Sequence, residues 1–429
     1  MSSAPYLIVG NSVAAMACIE GIREHDKTTP ITLIAKEPYH TYSRPLITYL
    51  LSGLVDEERM IYRPLDYYDK AKVNAVLGTE VVRVHSRSRC VETLIGDRVH
   101  FDRLLIATGG RPIVPTDVGG GDLQGVFTFT TLDDARSIKQ HIAANEVKSA
   151  LVVGGGLIGL KSVEALMALG LRITVVELAD RMLSSTFDRT ASSLLQKKLH
   201  AAGVEVLCDN TVSRVKGDDG RVAGAILRDG REVDCGLVVF AIGVLPDTAI
   251  VEGTDIEVDR GILVDNHMQT SVEGIYAAGD VAQAEELLCG EQRCIAIFPN
   301  AYRQGLVAGA NMAGAEAEWD GGLVMNSVAV CEMPTVSVGI TSGLDEGYEV
   351  LETLDEDSYE YRKIVMRGDY IVGAIFVGQV DRSGIITGLI RGRVNISSFK
   401  DRLLADDFGL ISLPTAYRKH VVSGHGIVV

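Results

Sequence analysis

The chain has 429 residues, and 41 Lys+Arg against 57 Asp+Glu leave a net charge of −16 at pH 7, with 47% hydrophobic and 23% charged residues. This is the composition of a globular chain of two or three domains, and its acidity gives no reason to gather nucleic acid, which needs clustered Lys and Arg. No apolar run approaches the roughly 18 to 20 residues of a membrane-spanning helix. Residues 1–19 are uncharged, but they lack a basic first segment and carry Gly10, Asn11 and Ser12 in their middle, so they do not read as a secretion signal. Seven cysteines without a CxxC or regular spacing suit reduced thiols, and a cytoplasmic location is the expectation.

Tyr6-Leu7-Ile8-Val9 predicts a strand, Gly10 a break and residues 13–23 a helix, with a second strand over Ile31–Ala35. In this βαβ start, Asn11-Ser12-Val13-Ala14-Ala15 stands where a dinucleotide fingerprint reads G-x-G-x-x-G. Only the first glycine is kept, although Ser12 and Ala15 are still small enough for a pyrophosphate or a packed strand to approach. Alone, so degraded a fingerprint leaves an ordinary strand, turn and helix equally open. Residues 103–112 then run as an apolar strand into the small-residue turn Ala107-Thr108-Gly109-Gly110-Arg111-Pro112.

The pattern recurs intact further on. Ala150-Leu151-Val152-Val153 predicts a strand, Gly154-Gly155-Gly156-Leu157-Ile158-Gly159 is a complete G-x-G-x-x-G, and residues 160–168 follow as a helix. A phosphate at such a helix N-terminus meets free N–H groups and a dipole worth about 0.3–1 kcal/mol. The next strand ends on Glu177, 23 residues after Gly154, the spacing of a carboxylate that accepts both hydroxyls of a ribose. Residues 237–246 repeat the turn type of 103–112, which makes the two units relatives. Residues 271–280 form an apolar strand that delivers Gly279-Asp280 where a helix is expected to start. From about Trp319, alternating segments at 361–366 and 370–377 precede a helical stretch at 385–391, a third domain of α+β texture.

These motifs in this order resemble the two-dinucleotide-binding-domain flavoprotein superfamily, the pyridine nucleotide–disulfide oxidoreductase fold, over nearly the whole chain. The fold class implied is α/β, with two Rossmann-like, three-layer ββα domains and a C-terminal α+β interface domain. By the resemblance, residues 1–115 and 246–318 bind FAD, residues 116–245 bind NAD(H), and residues 319–429 form the interface. Gly10, Ser12 and Ala15 would approach the FAD pyrophosphate, with Asn11 and Ala14 beside them. Glu37, after Lys36, would bind the adenosine ribose, and the Val81 backbone would lie near adenine. Ala107, Thr108 and Gly109 would close over the cofactor, and Asp280, after Gly279, would hold ribitol or pyrophosphate. Arg44, Pro45, Arg111 and Asn300 complete the implied FAD contacts, and Gly154, Gly156, Leu157, Ile158, Gly159, Glu177 and Gly243 those for NAD.

The branch is decided ahead of Gly53. Disulfide reductases, NADH oxidases and coenzyme A disulfide reductases carry a redox cysteine there, whereas this chain has Tyr42-Ser43-Arg44-Pro45-Leu46-Ile47-Thr48-Tyr49 and no cysteine between Cys18 and Cys90. That stretch is similar to NADH:rubredoxin reductases, ferredoxin reductases of oxygenase systems and the flavin part of assimilatory nitrite reductases. The His-x-x-x-x-Glu base of glutathione-type reductases is also missing, since neither His420 nor His425 has such a partner. The resemblance therefore implies electron exchange between NAD(H) and a one-electron iron–sulfur or rubredoxin-like protein, or service as the NAD-facing subunit of a larger assembly such as a tungsten aldehyde oxidoreductase. A homodimer through the C-terminal domain, or a hetero-oligomer, is the family expectation. A stand-alone NADH oxidase or disulfide reductase and a non-enzymatic NAD(H) sensor remain as alternatives.

Lys161 stands where many relatives carry Glu, and Tyr49 where oxygenase-coupled reductases carry the Lys that pairs with it. This places a cation near the flavin and nicotinamide, close to Ile158 and Gly243, or else on a solvated first helical turn. Glu177 argues for NADH over NADPH because its carboxylate would repel a 2′-phosphate, while Arg181 could soften that. Cys289 and Cys294 have the CxxxxC spacing of a redox pair but are read as incidental on a surface hairpin; His and Cys lack metal-ligand spacing, so no metal is expected. Arg391, Arg393, Lys400 and Arg402 form either a docking face or a solvated one.

Overall fold

The computed structural model describes residues 2–414; His420 and His425 lie outside them. The chain divides into two compact units, residues 1–176 with 211–322, and residues 177–210 with 323–429. In the first unit, β1 (Ser2–Val9), α1 (Val13–His25) and β2 (Ile31–Ala35) form the expected opening, and α2 (Ile47–Leu51), β3 (Val73–Leu77), β4 (Val81–His85), β5 (Cys90–Thr93) and β6 (Arg98–Ile106) follow. Leu7, Ile8 and Leu33 are fully buried, because a parallel sheet covered on both faces needs continuous apolar strands. The sheet order is β3-β2-β1-β6, all parallel, and the hairpin β4-β5 continues it antiparallel from the first half of β6.

The second sheet uses β7 (Val126–Thr128), β8 (Ser149–Val153), β9 (Arg172–Val176) and β10 (Leu237–Phe240) in the order β9-β8-β10-β7, again all parallel. Helices α3 (Leu132–Ala144) and α4 (Leu157–Ala168) alternate with its strands. Thr131 starts α3 with a capping box, its hydroxyl accepting from the Asp134 N–H. In each sheet the central strand, β1 or β8, has its successor on one side and a later strand on the other. Such a switch point opens a crevice beyond the carboxyl ends of the strands. Gly10 and Gly154 stand at those ends.

The two repeated turns meet each other. Gly110–Pro112 pairs antiparallel with Val244–Pro246, so the chain passes between the two sheets through a two-stranded ribbon. Beyond it, β11 (Ile275–Ala277) joins β6 in parallel. The helix expected at Asp280 is not there: the chain turns and continues as strand Ala282–Glu285, and α5 (Phe298–Met312) starts only afterwards. The strand regains hydrogen bonds with Ile262–Leu263 and Gln292–Arg293 before the chain can become helical. Helices α1 and α5 cross at backbone contact, since a Cβ on Gly305 or Gly309 would lie 2.2 Å from the carbonyl oxygens of Ala14 and Cys18.

The second unit holds helix Arg189–Ala201 and an antiparallel sheet ordered Met325–Val330, Met333–Gly339, Tyr370–Val377, Glu360–Arg367, Glu349–Asp355, followed by helix Ser383–Arg391. The sheet and the helix after it give residues 325–391 an α+β texture. No helix among the described residues is long and apolar enough to cross a membrane.

Candidate functional site

Gly10 has φ +120°, and a Cβ there would lie 2.1 Å from the Ala107 carbonyl oxygen, so the ends of β1 and β6 touch only because this residue is glycine. Asn11 donates to the Tyr39 carbonyl (3.0 Å) and accepts from the Tyr68 hydroxyl (2.6 Å). Ser12 is the extended N-cap of α1 and makes no side-chain cap, leaving the first N–H groups of the helix facing the crevice. Ala14 and Ala15 are buried, Ala14 against Gly279.

Around this loop the predicted residues separate into two groups. Lys36 turns outward onto Glu80 (2.9 Å) and is largely exposed. Glu37 turns inward, each of its carboxylate oxygens 3.1 Å from Arg44 Nη2, with the Tyr42 hydroxyl donating to Oε1 (3.2 Å). Arg44 also donates to the Thr130 carbonyl (3.1 Å), and Pro45 follows it in a short 3-10 turn. Burial pushes the Tyr42 hydroxyl up to about 12, and the same hydroxyl accepts the Leu132 N–H (3.1 Å). Asp280 has no hydrogen-bond donor among the described residues; burial pushes its carboxyl up, and Arg44 pulls it down. Gly279 donates to the Gln304 side chain (2.9 Å), and Asn300 is buried on α5. The Thr108 hydroxyl donates to the Asp247 carbonyl (2.7 Å), and Asp247 N–H to Gly109 O (2.9 Å), which closes the turn. Val81 is buried at the start of β4, and Arg111 is exposed on the ribbon.

These residues fit FAD. Its diphosphate would suit the α1 N-terminus and Arg44, and its ribityl and ribose hydroxyls would suit carboxylates such as Asp280 that otherwise lack a donor. A Cβ on Gly109 would meet nothing within 4 Å, which marks open space beside the turn. Tyr42 heads the stretch Tyr42-Ser43-Arg44-Pro45 that the sequence marks, although no contact is read for it there. Tyr68, Thr130 and Gln304 are not marked by the sequence, and Tyr68 and Gln304 carry no local signal.

The second loop shows the same division of labour among glycines. A Cβ on Gly154 (φ +111°) would lie 2.4 Å from Ala241 O, and one on Gly159 1.9 Å from Gly154 O. Gly156, the N-cap of α4, has φ −79° and nothing within 4 Å of an added Cβ, so it borders open space where backbone N–H groups can approach a phosphate. Leu157 and Ile158 form the first turn of α4. Gly243 (φ +115°) accepts the Ile113 N–H (3.0 Å). Helix α2 packs on α4, bringing the helix of Tyr49 against that of Lys161. Lys161 lies 2.6 Å from Glu164 Oε2, one turn along its own helix.

In the second unit Glu177 accepts the Ala179 N–H (2.7 Å), and Arg181 is tied to Asp180 (2.7 Å). Lys400 pairs with Glu349 and Arg402 with Asp407, so these two of the four predicted basic residues are charge-balanced instead of forming an open positive face. Cys289 is exposed, Cys294 half-buried, neither is in a disulfide, and burial raises both thiols. Among the described residues no group of His, Cys, Asp and Glu is placed to hold a metal ion.

Residues 4–305 match the profile of the pyridine nucleotide-disulphide oxidoreductase family, and residues 325–394 that of the rubredoxin NAD+ reductase C-terminal domain. The chain is 33% identical over 406 residues to the NADH-dependent phenylglyoxylate dehydrogenase subunit epsilon of Aromatoleum evansii, covering 94% of each chain. Among solved structures it resembles the NAD-dependent persulfide reductase of A. fulgidus (TM-score 0.86, 26% identity, 95% of this chain and 79% of the other). It also resembles the ferredoxin reductase of the CYP199A2 system from Rhodopseudomonas palustris (TM-score 0.81, 25% identity, 90% of this chain and 93% of the other).

Proposed function

This chain belongs to the pyridine nucleotide-disulphide oxidoreductase family and is an FAD- and NAD(H)-dependent oxidoreductase, and we propose that it exchanges electrons between NAD(H) and a one-electron iron–sulfur or rubredoxin-type protein or subunit. The observation that carries this reading is the missing thiol: α2 and the turn before it hold Arg44, Thr48 and Tyr49, and no cysteine lies between Cys18 and Cys90. Those two flanking cysteines are buried, and burial lifts the Cys18 thiol far above its ordinary value, so it is no ready thiolate. Bound FAD supplies the conversion between a two-electron hydride and single electrons.

The protein's part is to hold and shield. Residues 1–115 and 246–318 form the FAD domain, residues 116–245 the NAD(H) domain, and residues 319–429 face the partner or a second copy. Gly10, Ser12 and the α1 N-terminus receive the diphosphate, helped by Arg44, while Asp280 accepts from ribityl hydroxyls. Gly156 and the first turn of α4 receive the second diphosphate, and Glu177 accepts from the adenosine ribose of NAD(H). The similarity to a named subunit of an NADH-dependent dehydrogenase supports work inside a larger assembly.

An anaerobic titration with NADH, counting electrons per FAD, tests the reading. About two electrons should bleach the flavin fully, with rapid reoxidation by added rubredoxin or ferredoxin. Consumption of about four, with a thiolate-to-flavin charge-transfer band midway, would instead reveal an active cysteine pair.

A further inference from the structure

Arg181, four residues after Glu177, is the guanidinium that the sequence offers to a 2′-phosphate. The structure uses it otherwise. Its Nη1 lies 2.7 Å from Asp180 Oδ1, Nη2 donates to the Ser184 carbonyl (3.2 Å) and Nε to the Phe187 carbonyl (3.4 Å), and its side chain is only 21% exposed. The second oxygen of Asp180 engages another arginine, Arg189 Nη2 at 2.5 Å, whose side chain is 79% exposed and has no other ion pair among the described residues. One carboxylate therefore occupies two cations.

The turn that carries Asp180 is itself fixed. Ala179 N–H donates to Glu177 Oε1, Asp209 N–H to the Ala179 carbonyl (2.9 Å), and Asn210 N–H to the Glu177 carbonyl (3.0 Å). Cys208 lies close enough to Glu177, Asp209 and Asp180 for all three carboxylates to raise its thiol, after burial as the larger cause. A phosphate dianion brought here meets gathered negative charge and guanidiniums already engaged, and like charges in apposition disfavour binding.

We propose that Asp180 is a specificity-determining residue: by engaging both Arg181 and Arg189, the two arginines that follow Glu177 in the chain, it withholds the guanidiniums that would receive a 2′-phosphate, so that the enzyme takes NAD(H) and refuses NADP(H). This rests on Glu177 being the acid that binds the adenosine ribose.

Calorimetric titration of the FAD-loaded protein with ADP-ribose and with 2′-phospho-ADP-ribose reads the discrimination without turnover. The wild-type protein should favour ADP-ribose by at least 100-fold. Asp180→Asn should narrow that ratio by at least tenfold through tighter binding of the 2′-phosphorylated probe, and D180N/R189A should restore most of it. An unchanged ratio in D180N, or a relaxed ratio that persists in both D180N/R189A and D180N/R181A, overturns the proposal. Should D180N not fold, Asp180→Ser removes the same carboxylate with a smaller side chain, and unaltered discrimination there counts against the proposal equally. If Glu177→Gln leaves ADP-ribose affinity unchanged, the ribose assignment has failed and the proposal falls with it.

Discussion

Lys363 and Asp188, 175 residues apart in sequence, meet as a buried ion pair with the ammonium 2.8 Å from Oδ2. Lys363 is 7% exposed, and the same carboxylate accepts the Tyr361 hydroxyl (2.8 Å) and, through Oδ1, the Ala191 N–H (3.0 Å) that begins helix Arg189–Ala201. One side chain thus caps a helix and fixes it to the sheet that carries Lys363 and Tyr361. Removing one partner of such a pair leaves a charge without compensation, which costs about 3–5 kcal/mol. Lys363→Met should lower the stability of the full chain by about that much in urea denaturation, and Lys363→Met with Asp188→Asn by clearly less than the two single changes added together. Additive losses would show that the pair is not coupled.

The same carboxyl gives the protein a defined acid sensitivity. Burial opposes its ionisation, but the Ala191 N–H, Lys363 and Tyr361 together hold it below the usual carboxylate value. A depressed value in the folded state means that the stabilisation is present above the ordinary value of about 3.9 and is lost as pH falls through the lower, folded one. Stability should therefore drop below about pH 4, and Asp188→Asn should flatten that drop while lowering stability at pH 7. Parallel acid profiles for the two proteins would remove Asp188 as a source.

Gly154 and Gly156 separate folding from binding within one motif. At Gly154 an added Cβ would collide with backbone at 2.4 Å and the backbone has positive φ, so Gly154→Ala should misfold the second sheet or shift it. At Gly156 neither obstacle exists. Gly156→Ala should keep its FAD and its unfolding midpoint but raise the Kd for ADP-ribose by about tenfold, because the methyl occupies space beside free N–H groups at the start of α4. Unaltered affinity would move the phosphate site elsewhere.

How far the sequence disclosed this architecture depends on the range of the forces involved. Strand, glycine turn and helix were legible at Gly10 and Gly154 because apolar runs and glycine act locally, and the boundaries fell within three residues of the observed helix starts. The helix expected at Asp280 failed because sheet pairing with Ile262–Leu263 overrode a local N-cap signal. Arg44 feels the Asp280 carboxylate from the far end of the domain sequence, and no spacing rule reveals that Glu37 faces inward to Arg44 while adjacent Lys36 faces outward. The partners of the basic run were out of reach for a related reason: the carboxylates that pair with Lys400 and Arg402 include one 51 residues away.

Lys161 offers the sharpest test of how the redox centre is tuned. Its ammonium lies 2.6 Å from Glu164, and its side chain is 24% exposed, on a helix that packs against the α2 helix of Tyr49. A cation retained here and directed at the flavin–nicotinamide junction would stabilise negative charge on the reduced cofactor, and Glu164 would hold it in place without neutralising it fully. Lys161→Ala should then lower the flavin potential and slow anaerobic reduction by NADH about tenfold, equivalent to about 1.4 kcal/mol of barrier, while Lys161→Arg keeps most of the rate. Stopped-flow reduction and a dye-equilibrated redox titration measure the two quantities separately. If both stay at wild-type values in Lys161→Ala, the ion pair with Glu164 is a helix-surface contact alone, and tuning must come from backbone donors around the flavin.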